Sequence, residues 1–382
     1  MHVKSIAVTP LRLPLKKPYI WSQGVEDAFT VNLIAVEAED GTVGYGETTT
    51  APDADAQVLI LNKLSRHFIS RSVFDYAMCC DEAYRANFLT FGGNMPRFAN
   101  QLFCGLEMAC LDLQGKLLGR PVWDLLGGQR RRDVGYFYFL QGETIEALVA
   151  DAKHAVLTGE QVIYLKVGMG REYDLEAVRA IRGVIGNARL RLDANEGWDP
   201  EHALGMMNKM RDLDVEYIEQ PTKSVSLPAL AALTKRSGIA LGADQSVFTL
   251  EEVYRACATG AGDMIAVGPR EIGGLRAMIQ AAGIVQAAGK KVCIHSSMTT
   301  GITTCAEHHI GRAISNLDDG NQIMWQLLRD DIVSAPDISP KKSKLSLDAK
   351  AGLGFDLNWD VINRATERHK KYSDELVGCV RL

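Results

Sequence analysis

The sequence predicts an α/β fold, a barrel of repeated strand–helix units carrying an α+β cap, and three observations predict it. The first is a change of rhythm near residue 134. Beyond it, short apolar runs that end in a polar or charged residue alternate with helix-like stretches. The second is spacing. Lys166, Asp193, Glu219 and Asp244 close successive runs at steps of 27, 26 and 25 residues, and His295 follows after 51, the length of two such units. One strand, one helix and two loops occupy about 25 residues, so the period is that of βα units. The third is size. A chain of 382 residues, at about 150 per domain, accommodates two or three domains, or one barrel with an added cap.

Each element follows in order. Residues 1 to about 50 read as antiparallel sheet, with Val31, Leu33, Ala35 and Glu37 alternating against Asn32, Ile34, Val36 and Ala38. Asp40-Gly41 makes a tight turn into Thr42–Glu47. From about 54 to 127 the period becomes helical. Around Phe103–Leu118 the apolar positions are Leu102, Leu106, Ala109/Cys110, Leu113 and Leu117, and Gly119 and Pro121 stop the helix. The barrel strands are Gly135–Leu140, Val162–Val167, Leu190–Asp193, Val215–Glu219, Ala240–Asp244, Met264–Val267 and Val292–His295. Even spacing favours a closed barrel over an open doubly wound sheet, and a barrel brings the C-terminal strand ends to one rim.

Composition narrows the function. The apolar fraction of 47% and charged fraction of 23% are those of a globular protein, and no window reaches the ~18 apolar residues of a membrane span. The net charge of −5 argues against a nucleic-acid binder, and the longest basic run, Arg130–Arg132, reads as a solvated loop. Eight cysteines include no C-x-x-C pair and read as reduced thiols of a cytoplasmic protein, and the N-terminus lacks a signal peptide's apolar core. No G-x-G-x-x-G follows a strand, which argues against a dinucleotide-binding enzyme.

Converging at one rim, Asp193, Glu219 and Asp244 would repel unless a cation joined them, and an oxygen-only set selects Mg²⁺. Alternation puts Tyr164 and Lys166 on the inner face, where Lys166 either bridges to those carboxylates or, beside a divalent cation, serves as a base. His295 is a second acid/base candidate, and Asn195 a candidate ligand-orienting group. Trp198 and Trp325 read as packing. Such a set removes the α-proton of a small carboxylate through an enolate; reprotonation on the opposite face racemises or epimerises it, and loss of a β-hydroxyl dehydrates it.

Tyr164-Leu165-Lys166-Val167-Gly168, Leu192-Asp193-Ala194-Asn195-Glu196-Gly197-Trp198, Tyr217-Ile218-Glu219-Gln220-Pro221 and Ala243-Asp244-Gln245-Ser246 together resemble the enolase superfamily, in its mandelate racemase and muconate lactonizing enzyme branches. Gly44-Tyr45-Gly46-Glu47, the stretches 107–116 and 119–128, Gly273-Gly274-Leu275 and Gly352-Leu353-Gly354 extend the resemblance over almost the whole chain. The resemblance implies a capping domain over 1–130, joined by about 340–382, on a modified (β/α)7β barrel over 131–340. It also implies one Mg²⁺ held by Asp193, Glu219 and Asp244, and a homo-oligomer. Cap loops near Trp21–Glu26 and Thr48–Ala51 would cover the substrate, with Tyr19, Trp21 and Thr49 as contacts.

Departures from the family pattern limit what carries over. Tyr164 replaces the first lysine of Lys-x-Lys, and Gly268 takes the acid/base place on the sixth strand. His295 aligns with the histidine of the mandelate racemase dyad, without its aspartate partner. The eighth-strand region, Ile323-Met324-Trp325-Gln326, offers only Gln326, and no Asp-x-Asp of the dipeptide epimerases. Lys166 therefore works with His295, or alone with Tyr164 as hydroxyl donor. A muconate-type cycloisomerase, needing one base, and a non-catalytic Mg²⁺-binding relative are the remaining readings.

Overall fold

A computed structural model describes residues 1–49, 53–89 and 95–379. The cap opens with a three-stranded antiparallel sheet in the order β1 (Val3–Trp21), β2 (Gly24–Ala38), β3 (Val43–Thr49). Pro10, Pro14 and Pro18 all fall on β1, which is an edge strand, where a missing N–H leaves no partner unpaired. Helices α1 (Ala54–Ser65), α2 (Tyr76–Phe88), α3 (Pro96–Leu118) and α4 (Val122–Leu125) follow. The apolar positions read from the periodicity, Leu102, Leu106, Ala109, Cys110 and Leu113, are fully buried in α3, and Gly119 ends it in the left-handed conformation at φ 62°. Sheet and helix approach so closely that a Cβ on Gly44 would lie 2.2 Å from the Ala109 carbonyl oxygen.

The barrel strands are β5 (Tyr138–Phe139), β6 (Val162–Lys166), β7 (Arg189–Asp193), β8 (Val215–Glu219), β9 (Ala240–Ala243), β10 (Met264–Val267) and β11 (Lys291–Ile294), neighbours in that order and parallel throughout. Helices α5 (Ile145–Thr158), α6 (Arg171–Ile185), α7 (Pro200–Met210), α8 (Leu227–Arg236), α9 (Leu250–Thr259), α10 (Pro269–Ile272), α11 (Leu275–Ala287) and α12 (Gly301–Ala313) fill the connections. Residues 316–322 take the eighth place. They bond to β11 through Asp318 N to Val292 O (2.8 Å) and Gln322 N to Ile294 O (2.9 Å), and to the first strand through Phe137 N to Asn321 O (3.0 Å). The sequence placed the eighth-strand polar residue at Gln326; the residue at that rim position is Gln322.

The run Gly135–Leu140 divides. β4 (Val134–Gly135) turns outward to pair with β13 (Lys344–Leu345), and only β5 joins β6. β12 (Val333–Ala335) pairs with β14 (Asp356–Leu357), and α13 (Trp359–Cys379) returns to pack on β1 of the cap. No helix among the described residues is long and apolar enough to cross a membrane.

Buried polar side chains tie the cap together and fasten it to the barrel. Glu47, on β3, is 2% exposed and accepts from Thr300 N (3.0 Å), Thr300 Oγ1 (2.8 Å) and Thr303 N (2.9 Å), capping α12. Asp112, on α3, accepts from Leu353 N (2.7 Å) and Tyr45 N (2.9 Å). Asn100 Nδ2, also on α3, donates to Phe248 O (2.9 Å) and Glu271 O (2.8 Å). Replacing Glu47 by Ala strands these buried donors, and a loss of about 2–3 kcal/mol is expected, read as a lower urea midpoint at constant slope. An unchanged midpoint would show that the strut is dispensable.

Candidate active site

Lys166, Asp193 and Glu219 are the last residues of β6, β7 and β8; Asp244 and His295 are the first residues beyond β9 and β11. In strand order the three carboxylates therefore lie between Lys166 on one side and His295 on the other, with Gly268, just past β10, intervening before His295.

Lys166 Nζ donates to Asp193 Oδ2 (2.5 Å) and Asn195 Oδ1 (2.6 Å), within 6 Å of the rings of Tyr19, Phe139 and Tyr164. Burial works against its charge, but Asp193, Tyr19 and Glu219 outweigh burial and hold the ammonium above the usual lysine range. Asn195 is the joint of this corner. Its backbone, at φ 39°, turns so that its N–H reaches Asp193 Oδ1 (2.8 Å), while its carbonyl accepts from Ser22 Oγ (3.0 Å) and the Gln23 amide (3.3 Å) at the tip of the β1–β2 hairpin. Cap and barrel thus meet at the residue that aims the lysine.

Tyr164 is buried inside the barrel, stacked on Phe137 at 4.0 Å, with its Oη 2.7 Å from Asp193 Oδ2 and 2.9 Å from Glu219 Oε1. Burial, and then the two carboxylates, push its pKa far up, so it stays a neutral phenol. It does not border the cavity described below. Tyr217 Oη donates to Glu219 Oε2 (3.0 Å). Two phenols therefore hold these carboxylates, with Lys166 the cation bonded to Asp193.

The other side of the cluster is short of hydrogen-bond partners. Both oxygens of Asp244 and Nδ1 of His295 are buried without a hydrogen-bond partner. Glu219, Asp244 and His295 each offer an atom, all within 4.8 Å of one another. Asp193 is not part of that group; its oxygens are engaged by Tyr164, Lys166 and the Asn195 amide. Burial raises Glu219 and Asp244 above the carboxylate range, and neighbouring acids add to it. Unpartnered buried carboxylates are costly. A cation satisfies them, and the donor chemistry here fits one.

Sequence reasoning missed Glu271. It sits on α10, three residues after Gly268, with Oε1 3.6 Å from His295 Nδ1; Asp244 Oδ1 lies 3.4 Å from the same nitrogen. Burial opposes its ionisation, but Arg270, bonded to it through Nε (2.8 Å) and Nη2, and His295 hold it down at about 2. Burial would lower His295, yet Asp244, Glu271 and Glu219 push it up to about 9. The missing acid partner of His295 is thus supplied from a helix rather than a strand end. The signal was an acid directly behind Gly268-Pro269-Arg270.

A cavity of about 530 Å³ opens over this rim beneath the cap. Lys166, Asn195 and His295 line it from the barrel, and Tyr19, Trp21 and Thr49 from the cap. Gln322 and Met324 also line it; Gln326 does not. Trp198 is core, 2% exposed, and Trp325 lies off the cavity. Of the expected cap loop Thr48–Ala51, Thr50 and Ala51 fall outside the described residues. The seven cysteines with described side chains are all free thiols, five of them buried.

Comparison with known proteins agrees with this architecture. Residues 4–127 match the family "Mandelate racemase / muconate lactonizing enzyme, N-terminal domain", and residues 147–361 match "Enolase C-terminal domain-like". The chain is 28% identical to muconate cycloisomerase 1 of Pseudomonas putida, over 93% of this chain and 95% of that one. It is 25% identical to the L-Ala-D/L-Glu epimerase of Clostridium acetobutylicum, over 93% and 99%. Among solved structures, the muconate lactonizing enzyme of Pseudomonas fluorescens complexed with muconolactone superposes with a TM-score of 0.88 at 26% identity, covering 95% of this chain and 99% of that one. The dipeptide epimerase of Enterococcus faecalis, complexed with Mg and L-Leu-L-Tyr, gives 0.84 at 25%, covering 93% and 100%. With both domains matched and a cap closed over a barrel rim of carboxylates, the chain belongs to the mandelate racemase and muconate lactonizing enzyme branch of the enolase superfamily, and it is an enzyme.

Proposed function

We propose that the chain racemises or epimerises a small carboxylate by moving its α-proton between Lys166 and His295. The observation that carries this reading is placement: two acid/base groups flank the carboxylate cluster and face one cavity. Asp193, Glu219 and Asp244 would hold Mg²⁺, whose preference is for oxygen donors. Bound there, the ion supplies positive charge beside the substrate carboxylate.

The remaining work belongs to side chains. Lys166, whose ammonium is held by Asp193, would give up its proton more readily with Asp193 engaged by a cation; as the free amine it takes the α-proton on its face, with Asn195 fixing where Nζ points. His295, as imidazolium, returns a proton to the opposite face, and the reverse reaction exchanges the roles. Glu271 is the positioning residue for His295. Ionised and clamped by Arg270, it lies 3.6 Å from Nδ1, where a small turn of the ring would let it accept the Nδ1–H and leave Nε2 for substrate. Tyr164, committed to two carboxylates and off the cavity, holds ligands rather than donating to substrate.

A second reading, a cycloisomerase of the muconate type, is supported by the muconate cycloisomerase relatives and needs Lys166 alone. Incubation of the Mg²⁺-loaded chain in D₂O with N-acyl amino acids, proline derivatives and hydroxy acids is expected to place deuterium at the α-carbon of at least one class. EDTA should stop the exchange and excess Mg²⁺ restore it. A 2-oxo acid product would reveal dehydration. Absence of α-exchange across the panel by the loaded, folded chain defeats the proposal.

A further inference from the structure

We infer that the substrate carries a cationic nitrogen beyond its carboxylate, and that Glu26 on the cap recognises it. This rests on the reading of the cavity as the site of α-proton transfer.

The inference comes from accounting for the charges that line the cavity. Each basic side chain there already has an acidic partner within the chain. Arg12 pairs with Asp27 (2.8 Å), Lys166 with Asp193 (2.5 Å), Arg270 with Glu271, and His369 with Asp55 (3.0 Å). His295 faces Asp244 and Glu271. Two of the acids are also engaged: Asp53 accepts from Ala56 N (2.8 Å), capping α1, and Glu196 from Ser224 N (2.5 Å). Glu26 lines the same cavity, is half-buried, and among the described residues has no hydrogen-bond or ion-pair partner. Among the acids that line the pocket, Glu26 is therefore the one left with neither a hydrogen-bond donor nor an ion-pair partner.

Its position suits a substrate. In the β1–β2 register Glu26 stands directly opposite Tyr19, so their side chains share a face. Tyr19 reaches the reacting corner, its ring 5.9 Å from Lys166 Nζ. Glu26 lines the same cavity as Lys166 and as the Tyr19 and Trp21 rings, which are 6.0 Å apart, so a substrate extending from the reacting corner along this hairpin would meet it. A carboxylate flanked by aromatic rings binds an ammonium, quaternary ammonium or guanidinium group, and it repels a second carboxylate.

Matched pairs that differ in charge alone test this. 4-(Trimethylammonio)butanoate is compared with its carbon isostere 5,5-dimethylhexanoate, 5-aminopentanoate with hexanoate, and glutarate serves as the anionic probe. Calorimetric binding to the chain in excess Mg²⁺ is measured for wild type, Glu26→Gln and Glu26→Lys. Wild type is expected to bind a cationic member about tenfold tighter than its isostere. Glu26→Gln should erase that preference with little change for the neutral acids, and Glu26→Lys should shift it toward glutarate. Equal binding of both members of each pair, or a cation preference that survives Glu26→Gln, overturns the inference. α-Proton exchange in D₂O is followed on the same samples. Selective binding of cations without any exchange leaves the inference standing and removes the α-proton-transfer reading instead.

Discussion

Lys166→Ala is expected to lower α-proton exchange by roughly 10³-fold or more, the scale of losing a positioned general base, while the chain stays folded. The electrostatics separate this from a loss of metal. Lys166 is the cation bonded to Asp193, so removing it leaves the carboxylate cluster more negative, and Mn²⁺ or Mg²⁺ affinity should hold or rise. Catalysis and metal binding therefore move apart in this variant. Exchange that continues near the wild-type rate would show that another group takes the proton. Loss of metal together with activity would place Lys166 in the metal site's architecture instead.

His295→Asn is expected to break the reaction on one face only. The enantiomer whose α-proton faces Lys166 should still exchange in D₂O, with retention, because Lys166 and Asn195 are untouched. The opposite enantiomer should lose exchange, and racemisation should fall by roughly 10²–10⁴-fold. Glu271→Gln should give the same one-sided pattern, with a smaller loss, because the imidazole remains and only its orientation is released. Chiral NMR of the two enantiomers reads both variants. A symmetric loss would mean that His295 acts on the metal side of the cluster. No loss would favour the single-base cycloisomerase.

Why some of this was legible in the sequence, and some not, follows from where each residue sits. Lys166, Asp193, Glu219, Asp244 and His295 all stand at or just past strand ends, and parallel strands of similar length put those ends on one rim, so a 25–27-residue step was enough to gather them. Glu271 escaped because it lies on a four-residue helix, where no strand period reaches; the docking of α10 on Asn100 fixes its place, and that contact joins residues 171 apart. Gln322 was misplaced by four residues because the eighth strand is irregular, held by bonds to β11 and the first strand rather than marked by an apolar run. The orientation of Tyr164 was half legible. Alternation turned it inward, but only the side-chain geometry shows its hydroxyl facing two carboxylates away from the cavity. The capping of α12 by Glu47 had no local signal at all, since donor and acceptor lie 253 residues apart.

Diffraction at the manganese edge from crystals soaked in MnCl₂ is the most direct test of the arrangement. The account predicts one strong anomalous peak about 2.0–2.3 Å from oxygens of Asp193, Glu219 and Asp244, with Asp193 drawn toward the ion and His295 Nδ1 turned to Glu271. A peak ligated by His295 Nδ1 with Asp193 left on Lys166, or no peak at the rim, contradicts it.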